Sequence, residues 1–318
     1  MMFCGSWILT SKSKEEYKFQ EPLPFYSSKL KVWIHLTPKN EEELSKALKN
    51  YNIHPLTLED IMNPQSRIKV EQFPNYTFIV FRGLHFDMQN ITAKNFNFII
   101  VKNTLITIVI DHRNTIADII NAWEKNQALL AKGIEFIIHK IFDLETDHML
   151  PIVYRIEDQA ADFESQVYHK HRKLDIASVF IMRSNLQQVK KVINQHVELL
   201  NILESSKIIS NSESDVFFRD VKDHSMRILE IAETVRETIS SALEVHLTIS
   251  SQKSNEIMTI LTMMTAILLP MSLITGVYGM NFRYIPLLES QSGFYISLIM
   301  MFSIGFFMAV YFKIKKWF

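Results

Sequence analysis

The chain has 318 residues, 47% of them hydrophobic, and its 34 basic side chains are matched by 34 acidic ones. Balanced charge gives no electrostatic reason to expect a nucleic-acid partner, and a lone cysteine, Cys4, excludes a disulfide framework or a cysteine-built metal site and fits a reducing compartment. Seven glycines are few against an average of about 7%, which leaves little turn material and points to long helices.

Residues 1–9 lack a basic leader and a small-residue cleavage site, so they read as the start of a cytosolic portion and not as a signal peptide. Residues 1–114 read as an α/β domain. The stretch 32–36 (Val-Trp-Ile-His-Leu) predicts a strand, and 41–50 predicts a helix opening after Pro38-Lys39-Asn40. Residues 76–86 are rich in β-branched and aromatic side chains, and 95–101 with 104–110 predict a hairpin turning at Lys102-Asn103. After Thr115 the strand signals vanish. A helical region is expected over 115–212, with three helices to about Ser206, breaks near Lys132-Gly133 and Asp175, and Pro151 starting or kinking one helix. The run His169-Lys170-His171-Arg172-Lys173 is too short for a nucleic-acid surface and reads as a solvated helix face or turn.

Residues 215–256 contain neither Gly nor Pro. Phe218, Val221, Ser225, Ile228, Ala232, Val235, Ile239 and Ala242 recur at spacings of three and four, the pattern of a coiled-coil-like seam. A stalk helix is therefore expected over 213–256, continuing to about Val277, for a length of roughly 95 Å at 1.5 Å per residue. Such a helix needs neighbours along its length, and copies of the same chain are the simplest supply.

Between Glu256 and Arg283 lie 26 uncharged residues, and between Glu289 and Lys313 lie 23 more. About 20 apolar residues cross a bilayer as a helix, so two spans are expected, 257–279 and 294–312, with an external loop over 280–293 and a basic tail over 313–318. Lys313, Lys315 and Lys316 form a basic collar after the second span, whereas the loop carries only Arg283 and Glu289. The positive-inside rule then puts both termini in the cytosol, with Tyr311 and Trp317 at the interface.

Two helices cannot enclose a water-filled path, but a ring of identical chains can. Extending the three-four spacing through the first span selects Asn255, Met258, Thr262, Thr265, Leu269, Ser272 and Gly276, a face holding most of the small and polar residues, while Ile260, Met264, Ile267, Met271 and Ile274 lie elsewhere. Small and polar residues on one face also serve plain helix packing in a membrane. Pro270 is expected to bend the helix. Beyond it, Asn281 follows Gly279 and Met280. A ring of such amides presents neutral acceptors to the water shell that Mg²⁺ sheds reluctantly, and a single Asn at a helix end also serves as a C-cap.

Tyr278-Gly279-Met280-Asn281-Phe282 at the end of the first of two C-terminal spans closely resembles the CorA family of divalent-cation channels. His54-Pro55-Leu56-Thr57-Leu58-Glu59-Asp60-Ile61 is similar to the family's N-terminal signature, residues 156–164 to its acidic helical hairpin and residues 218–224 to its stalk helix. The resemblance covers nearly the whole chain. It implies an α+β cytosolic domain plus a long stalk helix continuous with the first transmembrane helix, assembled as a funnel-shaped homopentamer in the inner membrane. It further implies Mg²⁺ influx, with Co²⁺ and Ni²⁺ competing, through a filter of Gly279, Met280 and Asn281. An ungapped count back from Asn281 places the pore positions on Asn255, Met258, Leu261, Thr265, Leu269, Ser272 and Gly276, with Leu261 replacing the Thr262 of the periodicity. Regulatory Mg²⁺ between protomers is implied at Asp220, with Asp87 near the partner position. The family's acidic loop residue is replaced here by Leu287, and Glu289 stands two residues on.

No organic cofactor is expected, and no phosphate-binding Gly-x-x-x-x-Gly-Lys-Ser/Thr loop is present to couple ATP within this chain. Two other readings stay open: a Zn²⁺ transporter of the same superfamily, and a non-conducting membrane-anchored coiled-coil sensor or scaffold. An enzyme is disfavoured, because His112, His139, His148 and the other histidines show no ligand spacing or paired nucleophile.

Overall fold

The computed structural model describes residues 5–26, 29–87, 90–110, 115–168, 175–206, 208, 213–287, 290 and 292–315. They divide into two compact units, residues 1–241 and 242–318. The basic run His169 to Lys173 lies outside the described residues, as do His112, Glu289 and Lys316.

In the first unit, seven strands form one sheet: β1 (Ser6–Thr10), β2 (Lys14–Tyr17), β3 (Val32–Leu36), β4 (Lys69–Gln72), β5 (Thr77–Asp87), β6 (Asn90–Val101) and β7 (Thr104–Ile108). Their order is β2-β1-β3-β7-β6-β5-β4. Only the central β3–β7 pair is parallel. The β6–β7 turn uses Lys102 in the left-handed region, at φ 53°.

Successive side chains of a strand point to opposite faces, and here both faces are buried. Phe78, Val80, Ile34 and Ile106 pack on one side with Leu44, Ala47, Leu48 and Ile61 from α1 (Glu41–Leu48) and α2 (Pro55–Met62). Ile79, Phe81, Trp33 and Leu105 pack on the other with residues of the later helices. That explains the near-continuous apolar strands. Asn40 caps α1 by accepting the Glu43 N–H at 2.9 Å, and His54 caps α2 through Nδ1, which accepts the Leu56 N–H.

After Thr115 the chain is helical, but with one helix more than expected: α3 (Thr115–Asn121), α4 (Trp123–Lys132), α5 (Ile134–Tyr168) and α6 (Ile176–Ser206). The extra break falls at Ala122, where the Asn126 amide donates to the Ile119 and Ala122 carbonyls and satisfies the groups the break frees. Breaks at Gly133 and Asp175 stand where expected. Pro151 lies inside α5 and starts no helix.

The helix α7 runs unbroken over Ser214–Tyr278, 65 residues. Its seam is covered by its own chain, which corrects the expectation that copies supply the neighbours. Val221, Ser225, Ile228, Ala232, Val235 and Ile239 are all buried within this chain. Val221 joins Leu199, Leu200 and Leu203 of α6 in one cluster, and Phe218 stands edge-on to Phe142 of α5. Polar contacts border the seam: Lys190 to Glu233 and Lys222 to Glu204 on the α6 side, and Arg227 to the Tyr154 hydroxyl on the α5 side.

The second unit holds the C-terminal part of α7 and α8 (Gly293–Ile314), the two helices long and apolar enough to cross a membrane. They approach closely at Gly305, where an added Cβ would strike the Met271 side chain and touch Ile267. Absence of a side chain there is what lets the helices meet.

Candidate functional site

Two groups of residues carry the sequence's functional expectations, one in each unit. In the second unit, α8 covers one face of α7. Met263 is buried, and Thr259, Ala266, Ile267, Pro270, Met271, Ile274 and Tyr278 are partly covered. At 100° per residue these cluster around one side of the helix. Asn255, Met258, Leu261, Thr265, Leu269, Ser272 and Gly276 lie on the opposite side, and every one is exposed. Thr262 shares that face, so periodicity and the ungapped count select the same surface.

At the end of α7, Gly279 donates its N–H to the Thr275 carbonyl at 2.9 Å, and Met280 donates to Val277 at 3.3 Å. No glycine lies in the left-handed region. What Gly279 relieves is crowding and not left-handed backbone, since a Cβ there would lie 3.1 Å from the Thr275 carbonyl oxygen, a tight contact. Met280 and Asn281 are exposed beyond the helix end. The loop then returns through Leu287, a leucine at φ 67° whose carbonyl sits against Gly293 where a Cβ would be. Lys313 lies in the last turn of α8, and the Lys315 N–H closes that helix on the Tyr311 carbonyl at 3.0 Å.

In the first unit, Asp220 and His224 of α7 meet Asp143 of α5, their ligand atoms all within 4.8 Å of one another. Residues four apart share a helix face, and His224 Nε2 is 3.9 Å from the Asp220 carboxylate. The other ring nitrogen, Nδ1, stands 3.5 Å from the Asp147 carboxylate, an ion-pair distance without a hydrogen bond. Lys140 lies 3.2 Å from Asp143 and competes for it. Two carboxylates suit a hard divalent cation that keeps part of its water shell, and the imidazole adds affinity for Co²⁺ or Ni²⁺. Nearby His139 is edge-on to Phe218, and burial holds its pKa below the usual imidazole value despite Asp143 and Asp220. Glu145, two residues past Asp143, points into the core, accepts a hydrogen bond from Thr115 and occupies the space beside Gly83. Burial pushes its carboxyl up to about 7.

Asp87 closes β5, and its side chain lies outside the described residues. The sequence singled out neither Asp143 nor the pairing of His224 with Asp220. The i,i+4 pair of Asp220 and His224 was a usable signal. Asp143 carried none, because only the packing of α5 on α7 brings it there.

The CorA-like Mg²⁺ transporter family matches residues 29–316. The chain belongs to that family. It is 31% identical over 340 residues to the cobalt/magnesium transport protein CorA of Thermotoga maritima, covering 98% of this chain and 96% of the relative. It is 27% identical over 287 residues to the putative metal ion transporter YfjQ of Bacillus subtilis, covering 90% and 89%. The complete structure of the CorA magnesium transporter from Methanocaldococcus jannaschii matches over 100% of both chains, with a TM-score of 0.84 and 23% identity. For this CorA-family chain the fold expectation holds: an α/β domain, a long α7 and a C-terminal apolar helix. Membership places it among the membrane transporters of the Mg²⁺/Co²⁺ class.

Proposed function

We propose that the chain forms a homopentameric channel in the cytoplasmic membrane that carries Mg²⁺ inward, with Co²⁺ and Ni²⁺ as competitors. One observation carries the reading: α8 covers one side of α7 and leaves the opposite side, from Asn255 to Gly276, free to line an axis and end at Gly279, Met280 and Asn281. The names of the Thermotoga and Methanocaldococcus relatives supply the cargo. A divalent ion falling through 100 mV gains about 4.6 kcal/mol, twice the value per unit charge, so the membrane potential suffices as driving force. The Asn281 ring holds the hydrated ion by its waters, weakly enough to release it. Leu261, Leu269 and Met258 form the dewetting constrictions below it. Arg283 offsets the loop's acid, so the mouth has little steering field. Lys313, Lys315 and Lys316 fix both termini in the cytosol.

Gating belongs to the cation cluster. Asp143, Asp220 and His224, with Asp87 of a neighbouring protomer, take cytosolic Mg²⁺ and hold the ring closed, since a ligand shifts an equilibrium as far as it prefers one state. Falling Mg²⁺ removes the bridge and frees the subunits to open.

The test loads purified protein into liposomes containing a Mg²⁺-sensitive dye, imposes an inside-negative potential and compares wild type with Asn281→Ala. Potential-dependent entry that the substitution removes is the expected result. Zn²⁺ entry in place of Mg²⁺ would make it a zinc transporter, and no flux of any divalent ion from correctly inserted oligomers would leave a scaffold.

A further inference from the structure

A wholly buried carboxylate, Glu145, lies where α5 packs on β5. Gly83 makes the space for it, since a Cβ there would strike the carboxylate. One carboxylate oxygen accepts the Thr115 hydroxyl, whereas the other, Oε2, accepts no hydrogen bond among the described residues. A buried acceptor left without a donor is costly and calls for an explanation. Two imidazoles supply one. His85 lies two residues beyond Gly83, on the same face of β5, and its Nε2 stands 3.8 Å from Oε2. His148 follows Glu145 by three residues, which sets it on the same side of α5. Its Nδ1 stands 3.4 Å from the Thr115 hydroxyl, and its ring centroid lies 6.5 Å from that of His85. His85 is partly exposed and His148 exposed, so the carboxylate is the floor of a recess and the imidazoles its mouth.

The 3.8 Å separation is too long for a hydrogen bond. It is short enough for one ion to bond both groups, at about 2.0–2.2 Å each. We infer that Glu145, His85 and His148 form a site for one transition-metal ion of the Zn²⁺, Co²⁺ and Ni²⁺ class, held within a single chain. One carboxylate and two imidazoles leave a fourth position for water, a donor set that Zn²⁺ accepts. Mg²⁺ demands oxygen ligands in octahedral array and is refused, while imidazole nitrogen suits the first-row transition metals. The site is separate from Asp143, Asp220 and His224. Two residues are about 200° of helix, so Glu145 faces the sheet while Asp143 faces α7. In that cluster one imidazole meets two carboxylates, and in this recess one carboxylate meets two imidazoles. Charge and ligand type thus sort hard from borderline ions between neighbouring sites. An ion in the recess ties β5 to α5, two residues from the end of the strand at Asp87.

The experiment uses the full chain in detergent, stripped with a chelator and carrying Asp220→Ala so that the other cluster does not contribute. Co²⁺ is titrated and its visible ligand-field absorption followed, a readout independent of transport. The expected result is the intense band of four-coordinate Co²⁺, saturating at one ion per chain, bleached by Zn²⁺ and surviving a large excess of Mg²⁺. Glu145→Gln keeps the side chain's size and can still accept from Thr115, and His148→Ala alters an exposed residue, so both variants keep the fold. Each should weaken Co²⁺ binding about 10–100-fold, at least the loss that follows removal of an outer-shell partner. Asp143→Asn, on the other side of α5, should leave the band unchanged. A band lost in Asp143→Asn but kept in Glu145→Gln gives the ion to the other cluster and overturns the site. Only the weak absorption of six-coordinate Co²⁺, or a band that Mg²⁺ removes, overturns it as well.

Discussion

Asp143 of α5 and Asp220 of α7 face each other within one chain, with His224 one helical turn beyond Asp220. A cluster of this kind stores repulsion between its carboxylates until a cation or a lysine neutralises it. Lys140, at 3.2 Å from Asp143, reaches only one of them. The full chain in detergent should therefore gain thermal stability on adding Mg²⁺, by about 2.7 kcal/mol at a hundredfold excess over Kd. Asp220→Ala should abolish most of that gain, Asp143→Asn should reduce it, and His224→Gln should weaken Co²⁺ more than Mg²⁺. Equal Mg²⁺ gains in wild type and Asp220→Ala, read by differential scanning fluorimetry, would remove the cluster from gating.

The stalk seam gives a second prediction. Ile228 is wholly buried within the chain, with Ser225 one turn before it donating its hydroxyl to the Val221 carbonyl at 2.8 Å. Truncating Ile228 to Ala leaves a cavity that its surroundings fill only in part, at a cost of about 2–5 kcal/mol. Because the seam is covered within one chain, the loss should appear in dissociated chains as well as in the assembly. A variant whose isolated chains melt like wild type, and which fails only in assembly, would put the seam back between copies.

The seam also marks where sequence reading stops. Period-3.6 burial announces an apolar face, yet says nothing of what covers it, so copies were expected where α5 and α6 stand. The hairpin of β6 and β7 was legible because the β-branched and apolar residues 98–101 and 104–108 flank a two-residue turn. In contrast, β2 reads Lys-Glu-Glu-Tyr and β4 reads Lys-Val-Glu-Gln. Both lie at the sheet edges, where charged side chains guard open backbone and erase the usual strand signal. Of the candidate sites, the uncovered face of α7 could be chosen from spacing because a helix repeats its faces locally. Asp143 could not, since it lies 77 positions before Asp220 and only tertiary packing joins them.

Two buried histidines make stability depend on pH. His35 contacts Thr107 through Nδ1 at 3.0 Å, and His196 stacks on Phe81 and donates from Nε2 to the Arg82 carbonyl at 2.8 Å. Burial pushes both pKa values down to about 3. Below the ordinary histidine value of about 6.5 the unfolded chain takes up protons that the folded chain refuses. Stability should thus be unaffected by these groups above that pH and fall steadily as pH drops toward 3. Replacing His196 with Gln, which also donates to a carbonyl, should cost stability at pH 8 through lost stacking yet flatten the acid limb. A variant with the same slope between pH 6.5 and 4 as wild type would place the acid sensitivity elsewhere.

The contact of α8 with α7 rests on one missing side chain. Gly305 admits the Met271 methyl into the space where a Cβ would stand, and Ile267 lies just beyond it. In a membrane no hydrophobic effect drives helices together, so close packing of such small residues carries the association. Gly305→Leu must push α8 away from the covered face of α7, and that same shift rotates or loosens the opposite face, from Asn255 to Gly276. Gly305→Ala asks only for a rotamer change of Met271, a flexible side chain with three rotatable bonds. The leucine variant should therefore lose its cooperative assembly and its Mg²⁺ flux together, while the alanine variant keeps the assembly and conducts within about threefold of wild type, a difference under 1 kcal/mol. Size-exclusion chromatography in detergent and liposome flux read the two effects separately. Normal flux from Gly305→Leu would mean that the position of α8 does not control the face that α7 presents to the ion.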